Sequence, residues 1–152
     1  MAAYFFDSSA LAKRYVAETG TPWVQGIVDP SAGNEIYVAH ITLVELTSAV
    51  TRRQRAGDLT PAAVAGALSD LLSDFVSEYS ILQITAKLIG QACTVAEKHA
   101  LRGYDAVQLA AALQVKAAYA AAGLYVTLVS ADLDLNTAAM AEGLAVDNPN
   151  TH

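Results

Sequence analysis

Short apolar runs alternate along the chain with longer segments in which apolar residues recur at helical spacing. The run Ala3-Tyr4-Phe5-Phe6 is too short for a helix and predicts a strand, whereas the following segment, to about residue 17, predicts a helix. Thr60-Pro61 supplies an N-cap and first-turn pair for another helix, which carries an apolar stripe. The same patterns predict strands at 35–39, 80–84 and 124–130, and helices at about 21–28, 41–56, 85–100, 103–122 and 132–142.

This alternation of strands and helices predicts the fold class. Parallel strands joined through helices need right-handed crossovers, and the helices then cover both faces of the sheet. We therefore expect an α/β fold, a three-layer α/β/α sandwich with a mostly parallel sheet. A length of 152 residues suits a single domain, residues 1–152, with one substantial core.

Four carboxylates lie where a predicted strand ends or a predicted helix begins. In open α/β sheets ligands bind outside the carboxyl ends of the strands, so residues at these junctions are candidates for function. A set of oxygen ligands without Cys or His suits Mg²⁺ or Mn²⁺ rather than zinc. The sequence therefore predicts a site for one or two such ions, with four candidate ligands: Asp7, Glu45, Asp105 and Asp132.

Each of these carboxylates also has a structural interpretation. An Asp at a helix start caps exposed N–H groups and suits the positive end of the helix dipole. Glu45 fits a capping box with Thr42, in which it would reach back to the cap residue. Asp105 departs from this interpretation because it shares a helical stripe with Leu109 and Leu113, an apolar row that faces inward. A charge on such a row needs a counter-charge, which a metal ion would supply.

Composition narrows the possible settings of the protein. Cys93 is the only cysteine, which excludes an internal disulfide framework and a cysteine-based zinc cluster. No segment resembles a membrane span or a signal peptide, so we expect a cytoplasmic protein. The formal net charge of −6 is unusual for a nucleic-acid enzyme. Two divalent ions would leave a formal charge of about −2 and place positive charge where phosphate arrives.

Four sequence blocks surround the four carboxylates. They are Asp7-Ser8-Ser9-Ala10-Leu11-Ala12-Lys13-Arg14-Tyr15 with Glu18, Ile41-Thr42-Leu43-Val44-Glu45-Leu46, Leu101-Arg102-Gly103-Tyr104-Asp105-Ala106-Val107-Gln108-Leu109-Ala110, and Val129-Ser130-Ala131-Asp132. Together these blocks resemble the motif blocks of PIN-domain ribonucleases, and most closely VapC-type toxins of toxin–antitoxin pairs. The resemblance extends over nearly the whole chain, in order, and includes the closing segment from Glu142 to Pro149.

The resemblance implies a Mg²⁺- or Mn²⁺-dependent endoribonuclease with a PIN-like fold. It also implies an RNA substrate, a homodimer and a cognate VapB-type antitoxin. Carried over residue by residue, the family's acidic quartet falls on the four carboxylates named above, which would be both catalytic and metal-binding. Ser130 matches the family's Ser or Thr before the last acid. Ser8 and Ser9 could cap the first helix or hold Asp7 through hydrogen bonds. Asp134 could share metal or water contacts or stabilise a helix start.

The other charged residues have competing interpretations. Lys13 and Arg14 could steer phosphate or lie on a solvated helix face. Arg52, Arg53 and Arg55 form a basic cluster near the end of the predicted helix at 41–56, where they suit the negative end of the helix dipole. One further acidic set is predicted to form a solvated face opposite an apolar stripe: Asp70, Asp74 and Glu78.

Two other functions remain open at the level of sequence. One is a related metal-dependent DNase or phosphatase on a similar sheet. The other is a non-catalytic binding protein that keeps the fold. A substrate panel would separate the first from a ribonuclease, and a Mn²⁺ titration of thermal stability would identify the second.

Overall fold

A parallel five-stranded sheet forms the middle layer of the structure, a computed structural model that describes residues 1–152. Its strands are β1 (Ala3–Phe6), β2 (Glu35–Ala39), β3 (Ser80–Leu82), β4 (Thr127–Val129) and β5 (Ala145–Asp147), in the order β3-β2-β1-β4-β5. The helices are α1 (Ser8–Tyr15), α2 (Thr21–Val28), α3 (Thr42–Ala56), α4 (Pro61–Ser77), α5 (Ala86–His99), α6 (Gly103–Ala121) and α7 (Leu133–Ala141). Two 3₁₀ turns span Pro30–Ala32 and Pro149–Thr151.

Apolar cores lie on both faces of this sheet. Successive residues of a strand point to opposite faces, and in β1 the fully buried Phe5 and Phe6 join different clusters. The Phe5 cluster includes buried residues of α5, α6 and α7, and the Phe6 cluster includes residues of α1, α2, α3 and α4. Helices thus cover both faces, and the predicted α/β/α sandwich is confirmed.

The strand order places a topological switch point at the centre of the sheet. From β1 the chain moves to one side, to β2 and β3, and then returns to the other side of β1 to form β4 and β5. Helices after β1 and after β4 therefore leave the sheet on opposite sides, which opens a crevice between their starts. Asp7 follows β1 and Asp132 follows β4, so both residues lie at this crevice.

Most predicted element boundaries agree with the structure to within two residues, but the sheet differs from prediction in two places. The strand predicted from Leu124 begins only at Thr127, because Leu124 and Tyr125 are exposed and have no paired strand beside them. Strand β5 was not predicted. It has three residues, too few for a recognisable alternation, and it exists through its pairing with β4.

Local sequence explains how α3 and α4 are separated. Gly57 adopts φ of +87° at the end of α3, a conformation that favours glycine. The Thr60 side chain then accepts a hydrogen bond from the Ala63 N–H and caps α4, with Pro61 in its first turn.

No helix of the structure is both long enough and apolar enough to cross a membrane.

Candidate active site

One broad cavity at the carboxyl edge of the sheet is lined by all four predicted carboxylates. Its volume is about 1000 Å³. Each carboxylate comes from a different part of the fold: Asp7 follows β1, Glu45 is in the first turn of α3, Asp105 is in the first turn of α6, and Asp132 follows β4. Residues separated by up to 125 positions in the chain thus share one cavity, which we call the acidic cavity.

Asp7 is the most buried of the four and is held by hydroxyl groups. Its Oδ2 accepts hydrogen bonds from Ser9 Oγ at 2.5 Å, Ser130 Oγ at 3.1 Å and the Ser9 N–H at 3.3 Å. The last of these bonds caps α1, as the structural interpretation predicted. Burial raises the pKa of Asp7, and the hydrogen bonds from Ser9 and Ser130 oppose that rise.

Asp132 also caps a helix while it lines the acidic cavity. Its Oδ1 accepts a hydrogen bond from the Leu135 N–H at 2.9 Å and caps α7. Its own N–H donates to Ser130 Oγ at 3.1 Å, so Ser130 links Asp132 to Asp7. A cap uses one carboxylate oxygen, and the other oxygen of Asp132 has no hydrogen-bond partner within the protein. Capping and ligand binding are therefore compatible here.

Glu45 does not form the predicted capping box. The residue before α3 is Ile41, and no side chain caps that helix. Glu45 Oε1 instead accepts a hydrogen bond from Gln108 Nε2 at 2.7 Å, and Oε2 accepts one from Ser8 Oγ at 3.2 Å. Ser8 also lies 3.4 Å from Asp7 Oδ1, so it links two of the four carboxylates. Burial raises the pKa of Glu45, and the negative charges of Asp7 and Asp105 add to this.

The side chain of Asp105 has no hydrogen-bond partner within the protein, and neighbouring carboxylates help to raise its pKa. Burial raises its pKa to about 6, with further contributions from the negative charges of Asp132 and Asp7, while Arg102 acts in the opposite direction. Leu109, one turn further along α6, is fully buried. The predicted inward row is therefore present, and Asp105 lies at its partly exposed end.

Positive charge surrounds the acidic cavity without neutralising it. None of the six ion pairs in the structure includes Asp7, Glu45, Asp105 or Asp132. Three basic side chains line the same cavity: Lys13, Arg52 and Arg102. Lys13 is paired with Glu18 at 3.5 Å, whereas Arg52 and Arg102 are exposed. This arrangement leaves the carboxylates available for a cation and the exposed rim available for an anion.

The chemistry of this site suits a divalent cation of the Mg²⁺ type. The charged ligands are all oxygen, no His or Cys lines the cavity, and repulsion between the carboxylates would be relieved by a cation. No group of three or more His, Cys, Asp or Glu side chains is arranged to hold a metal ion in this structure.

The remaining predicted residues divide into two groups. Ser8 and Ser130 contact Asp7, as described above. Asp134 is exposed in the first turn of α7 and lines a second, polar cavity that also includes Asp105, Asp132 and Arg102. Its charge contributes to the raised pKa of Asp105, but it does not line the acidic cavity.

Sequence reasoning identified Ser9 but missed two features of the site. Ser9 is the main hydrogen-bond donor to Asp7, which is one of the two roles expected for it. Gln108 binds Glu45, and its position three residues after Asp105 on one helix face could have identified it. Arg52 lines the cavity, although the sequence grouped it with the arginines at the end of α3.

Two other predictions about charged residues were wrong. Arg14 does not line the acidic cavity, because its guanidinium pairs with Asp74 and Glu78 of the segment around the end of α4. Asp74 is accordingly buried and does not belong to a solvated acidic face. Asp70 is exposed, as predicted.

Comparison with known proteins identifies the family. The model of the PIN domain matches residues 4–140, and the chain belongs to the PIN-domain family. Two relatives, Ribonuclease VapC45 of Mycobacterium tuberculosis (strain CDC 1551 / Oshkosh) and Ribonuclease VapC49 of Mycobacterium tuberculosis (strain ATCC 25618 / H37Rv), are each 33% identical over 115 residues. That match covers 76% of this chain and 78% of each relative.

Solved structures share the fold at lower identity. PAE2754 from Pyrobaculum aerophilum superimposes with a TM-score of 0.65 and 21% identity, covering 99% of this chain and 85% of that one. FitAcB from Neisseria gonorrhoeae gives a TM-score of 0.62 at 19% identity, with coverage of 96% and 97%. VapC20 of Mycobacterium tuberculosis, a sarcin–ricin loop cleaving toxin, gives 0.61 at 18% identity, with coverage of 89% and 94%.

Proposed function

We propose that this protein is a Mg²⁺- or Mn²⁺-dependent endoribonuclease and the toxin of a type II toxin–antitoxin pair, acting as a single domain in the cytoplasm. The observation that carries the proposal is the acidic cavity, in which four carboxylates meet without a basic partner. The relatives called Ribonuclease VapC support an RNA substrate. A cation on the carboxylates resolves the conflict between an acidic protein and a polyanionic substrate.

In this proposal Asp7, Glu45, Asp105 and Asp132 hold the metal. When bound there, a divalent ion would lower the pKa of a water molecule and neutralise charge that develops on the phosphate. No histidine or cysteine lines the cavity, so the carboxylates are the groups able to orient an attacking water. Hydrolysis by water needs no covalent protein intermediate.

The basic rim has a separate part in this mechanism. The exposed guanidinium groups of Arg52 and Arg102 would attract RNA phosphates to the cavity. Lys13 is buried and paired with Glu18, which limits its movement toward substrate. Ser8, Ser9 and Ser130 orient Asp7 through the hydrogen bonds described above.

An RNA-cleavage assay on protein purified without antitoxin tests this function. With Mn²⁺ or Mg²⁺ present, the wild type cleaves structured and unstructured RNA, and EDTA abolishes the cleavage. Asp7→Asn reduces the rate of cleavage by about 100-fold or more, because it removes a proposed metal ligand and not merely a residue that orients one. The matched control is Asp70→Asn, which alters an exposed carboxylate of α4 outside the cavity.

The outcomes separate the competing functions. Cleavage that survives EDTA contradicts the metal mechanism. Cleavage of single-stranded DNA or small phosphate esters with RNA left intact supports a DNase or a phosphatase instead. If Mn²⁺ neither supports cleavage nor raises the melting temperature, the protein is a non-catalytic member of the family.

The proposed antitoxin is a VapB-type protein that covers an apolar groove beside the acidic cavity. The groove has a volume of about 610 Å³, and its lining includes Ile41, Val44, Leu72 and Ile84. Val44 and Leu72 are 59% and 55% exposed, and Val44 lines both the groove and the acidic cavity. An amphipathic helix in this groove would lie next to the carboxylates. The proposed assembly also includes a homodimer of this chain.

A further inference from the structure

Gln108 has a fully buried side-chain amide in the second turn of α6, and this amide donates hydrogen bonds to two residues of α3. Its Nε2 group donates to Glu45 Oε1 at 2.7 Å and to Thr42 Oγ1 at 2.9 Å. Thr42 and Glu45 are three residues apart and face the same side of α3. On α6, Gln108 is likewise three residues after Asp105, so one helix supplies both a carboxylate of the cavity and the donor to another carboxylate.

The oxygen atom of this amide lowers the stability of the folded state. Gln108 Oε1 is buried and has no hydrogen-bond partner. A buried acceptor left unpaired destabilises the folded state. An apolar side chain of similar size would join α3 to α6 without that penalty, although it would also remove the donor to the buried Thr42 Oγ1. The amide cannot gain by rotating, because its oxygen would then face the Glu45 carboxylate. Packing of the two helices therefore does not explain why an amide occupies this position.

We infer that Gln108 is a positioning residue, which holds the Glu45 carboxylate in place for the divalent ion of the proposed function. Ser8 holds the other oxygen of the same carboxylate at 3.2 Å, so Glu45 is restrained from both sides. Such restraint matters because Glu45 lies on a half-buried helix face and its side chain has several rotatable bonds. A carboxylate already held in one orientation loses less entropy when it binds an ion.

Titration of the metal-free, full-length protein with Mn²⁺ tests this role through the melting temperature. Gln108→Met keeps the length of the side chain and removes the amide. We expect its Kd for Mn²⁺ to rise about 10-fold, the effect typical of removing a residue that orients a metal ligand. The melting temperature without metal should fall only modestly, since the substitution removes the unpaired oxygen as well as the hydrogen bonds to Thr42 and Glu45.

Two further variants keep the result interpretable. Gln108→Asn retains the amide but is one carbon shorter, so it should weaken Mn²⁺ binding even if Gln108→Met folds poorly. Gln114→Met is the matched control, because Gln114 lies on the same helix and donates to Gln91. Wild-type Mn²⁺ affinity in both Gln108 variants would overturn the inference. A lower melting temperature with unchanged affinity would do the same, because it indicates a purely structural role.

A double-mutant cycle tests whether Gln108 acts through Glu45. In a Glu45→Ala background, Gln108→Met should change the Mn²⁺ affinity by less than about twofold, because the carboxylate that it positions is absent. An unchanged 10-fold effect in that background would overturn the inference. The role of Gln108 rests on the proposed function, and the wild-type titration separates the two. If the wild type binds no Mn²⁺, both the proposed function and the inference fail. If the wild type binds Mn²⁺ and the Gln108 variants bind it equally well, the inference alone fails.

Discussion

Two clusters of acidic side chains in this protein differ in what surrounds them. In the acidic cavity, Asp7, Glu45, Asp105 and Asp132 have no ion-pair partner. A second cluster lies between α1 and the end of α4, and we call it the ion-pair network. It consists of Arg14, Tyr15, Asp74, Glu78 and Tyr79. There Arg14 Nη2 lies 2.7 Å from Glu78 Oε2 and 3.2 Å from Asp74 Oδ2.

Hydroxyl groups complete the ion-pair network. Tyr15 donates to Asp74 Oδ2 at 2.8 Å, and Arg14 Nη1 donates to the Tyr79 hydroxyl at 2.8 Å. Burial raises the pKa of Asp74, and the Tyr15 hydrogen bond and the Arg14 charge oppose this rise. For Asp105, burial acts in the same direction, but the next contributions come from other carboxylates and raise the pKa further.

The comparison shows that the number of carboxylates does not distinguish a structural cluster from a functional one. The source of the positive charge near the carboxylates distinguishes them. Where the protein supplies the positive charge itself, the cluster joins α1 to the end of α4. Where no basic side chain pairs with the carboxylates, the proposed function places a cation from solution. Helix geometry separates the two regions, because Lys13 and Arg14 are adjacent on α1 and point about 100° apart.

The largest expected effect comes from removing the built-in counter-charge. Arg14→Met leaves Asp74 buried without a basic partner and should lower the free energy of unfolding by about 3 kcal/mol. For a chain of this length the melting temperature falls by about 10 °C. Arg102→Met, at the rim of the acidic cavity, should change the free energy by less than about 0.5 kcal/mol, since Arg102 is exposed and forms no ion pair.

Chemical denaturation of both variants measures this difference. Cleavage of RNA per folded molecule should stay unchanged in Arg14→Met, because the ion-pair network does not line the cavity. Equal destabilisation by the two substitutions would contradict the division into a compensated and an uncompensated cluster.

Local sequence signals predicted the fold and part of the candidate site. The carboxylates Asp7 and Asp132 were identified because a strand end and a helix start are both visible in the sequence beside them. Their gathering in one cavity follows from parallel strands, whose carboxyl ends share one edge of the sheet. Whether all four bind metal remains a prediction.

Long-range pairings left no such signal. Arg14 and Glu78 are 64 residues apart, and the pattern around each residue is that of a solvated helix face. Only the packing of α1 against α4 makes them partners, which is why Asp74 and Glu78 were assigned to solvent. The same limit applies to β5, whose three residues become a strand only beside β4. Glu45 was open to two interpretations from sequence, because its contact with Gln108 joins residues 63 positions apart.

The second effect is a dependence of metal-free stability on pH. The pKa of Asp105 is about 6 in the folded protein and has an ordinary value of 3.8, so the folded state binds more protons between these values. Stability contributed by this group therefore falls as pH rises from about 4 to about 6 and stays low above that. Asp105→Asn should stabilise the metal-free protein at pH 7.5 by about 1 kcal/mol, a value reduced for solvent screening, and should have little effect at pH 4.

Urea denaturation in EDTA at the two pH values measures this effect. Asp70→Asn, which changes an exposed carboxylate, serves as the control and should show no such difference between pH 4 and pH 7.5. Destabilisation by Asp105→Asn at pH 7.5 would mean that a positive group inside the protein already compensates Asp105. The acidic cavity would then resemble the ion-pair network.

The smallest effect concerns the rim of the cavity, where positive charge is present but not paired with the carboxylates. Arg52→Gln should weaken RNA binding about threefold at low salt and flatten its salt dependence, because one phosphate contact is lost. The rate of cleavage at saturating RNA should change little, since Arg52 is an exposed rim residue and not one of the four carboxylates. Arg55→Gln is the matched control, as Arg55 is exposed on the same helix and does not line the cavity. The KM for RNA, measured at several salt concentrations for both variants, tests this difference. Equal effects of the two substitutions on KM would show that RNA binding depends on the overall charge of α3 and not on a cationic rim at the acidic cavity.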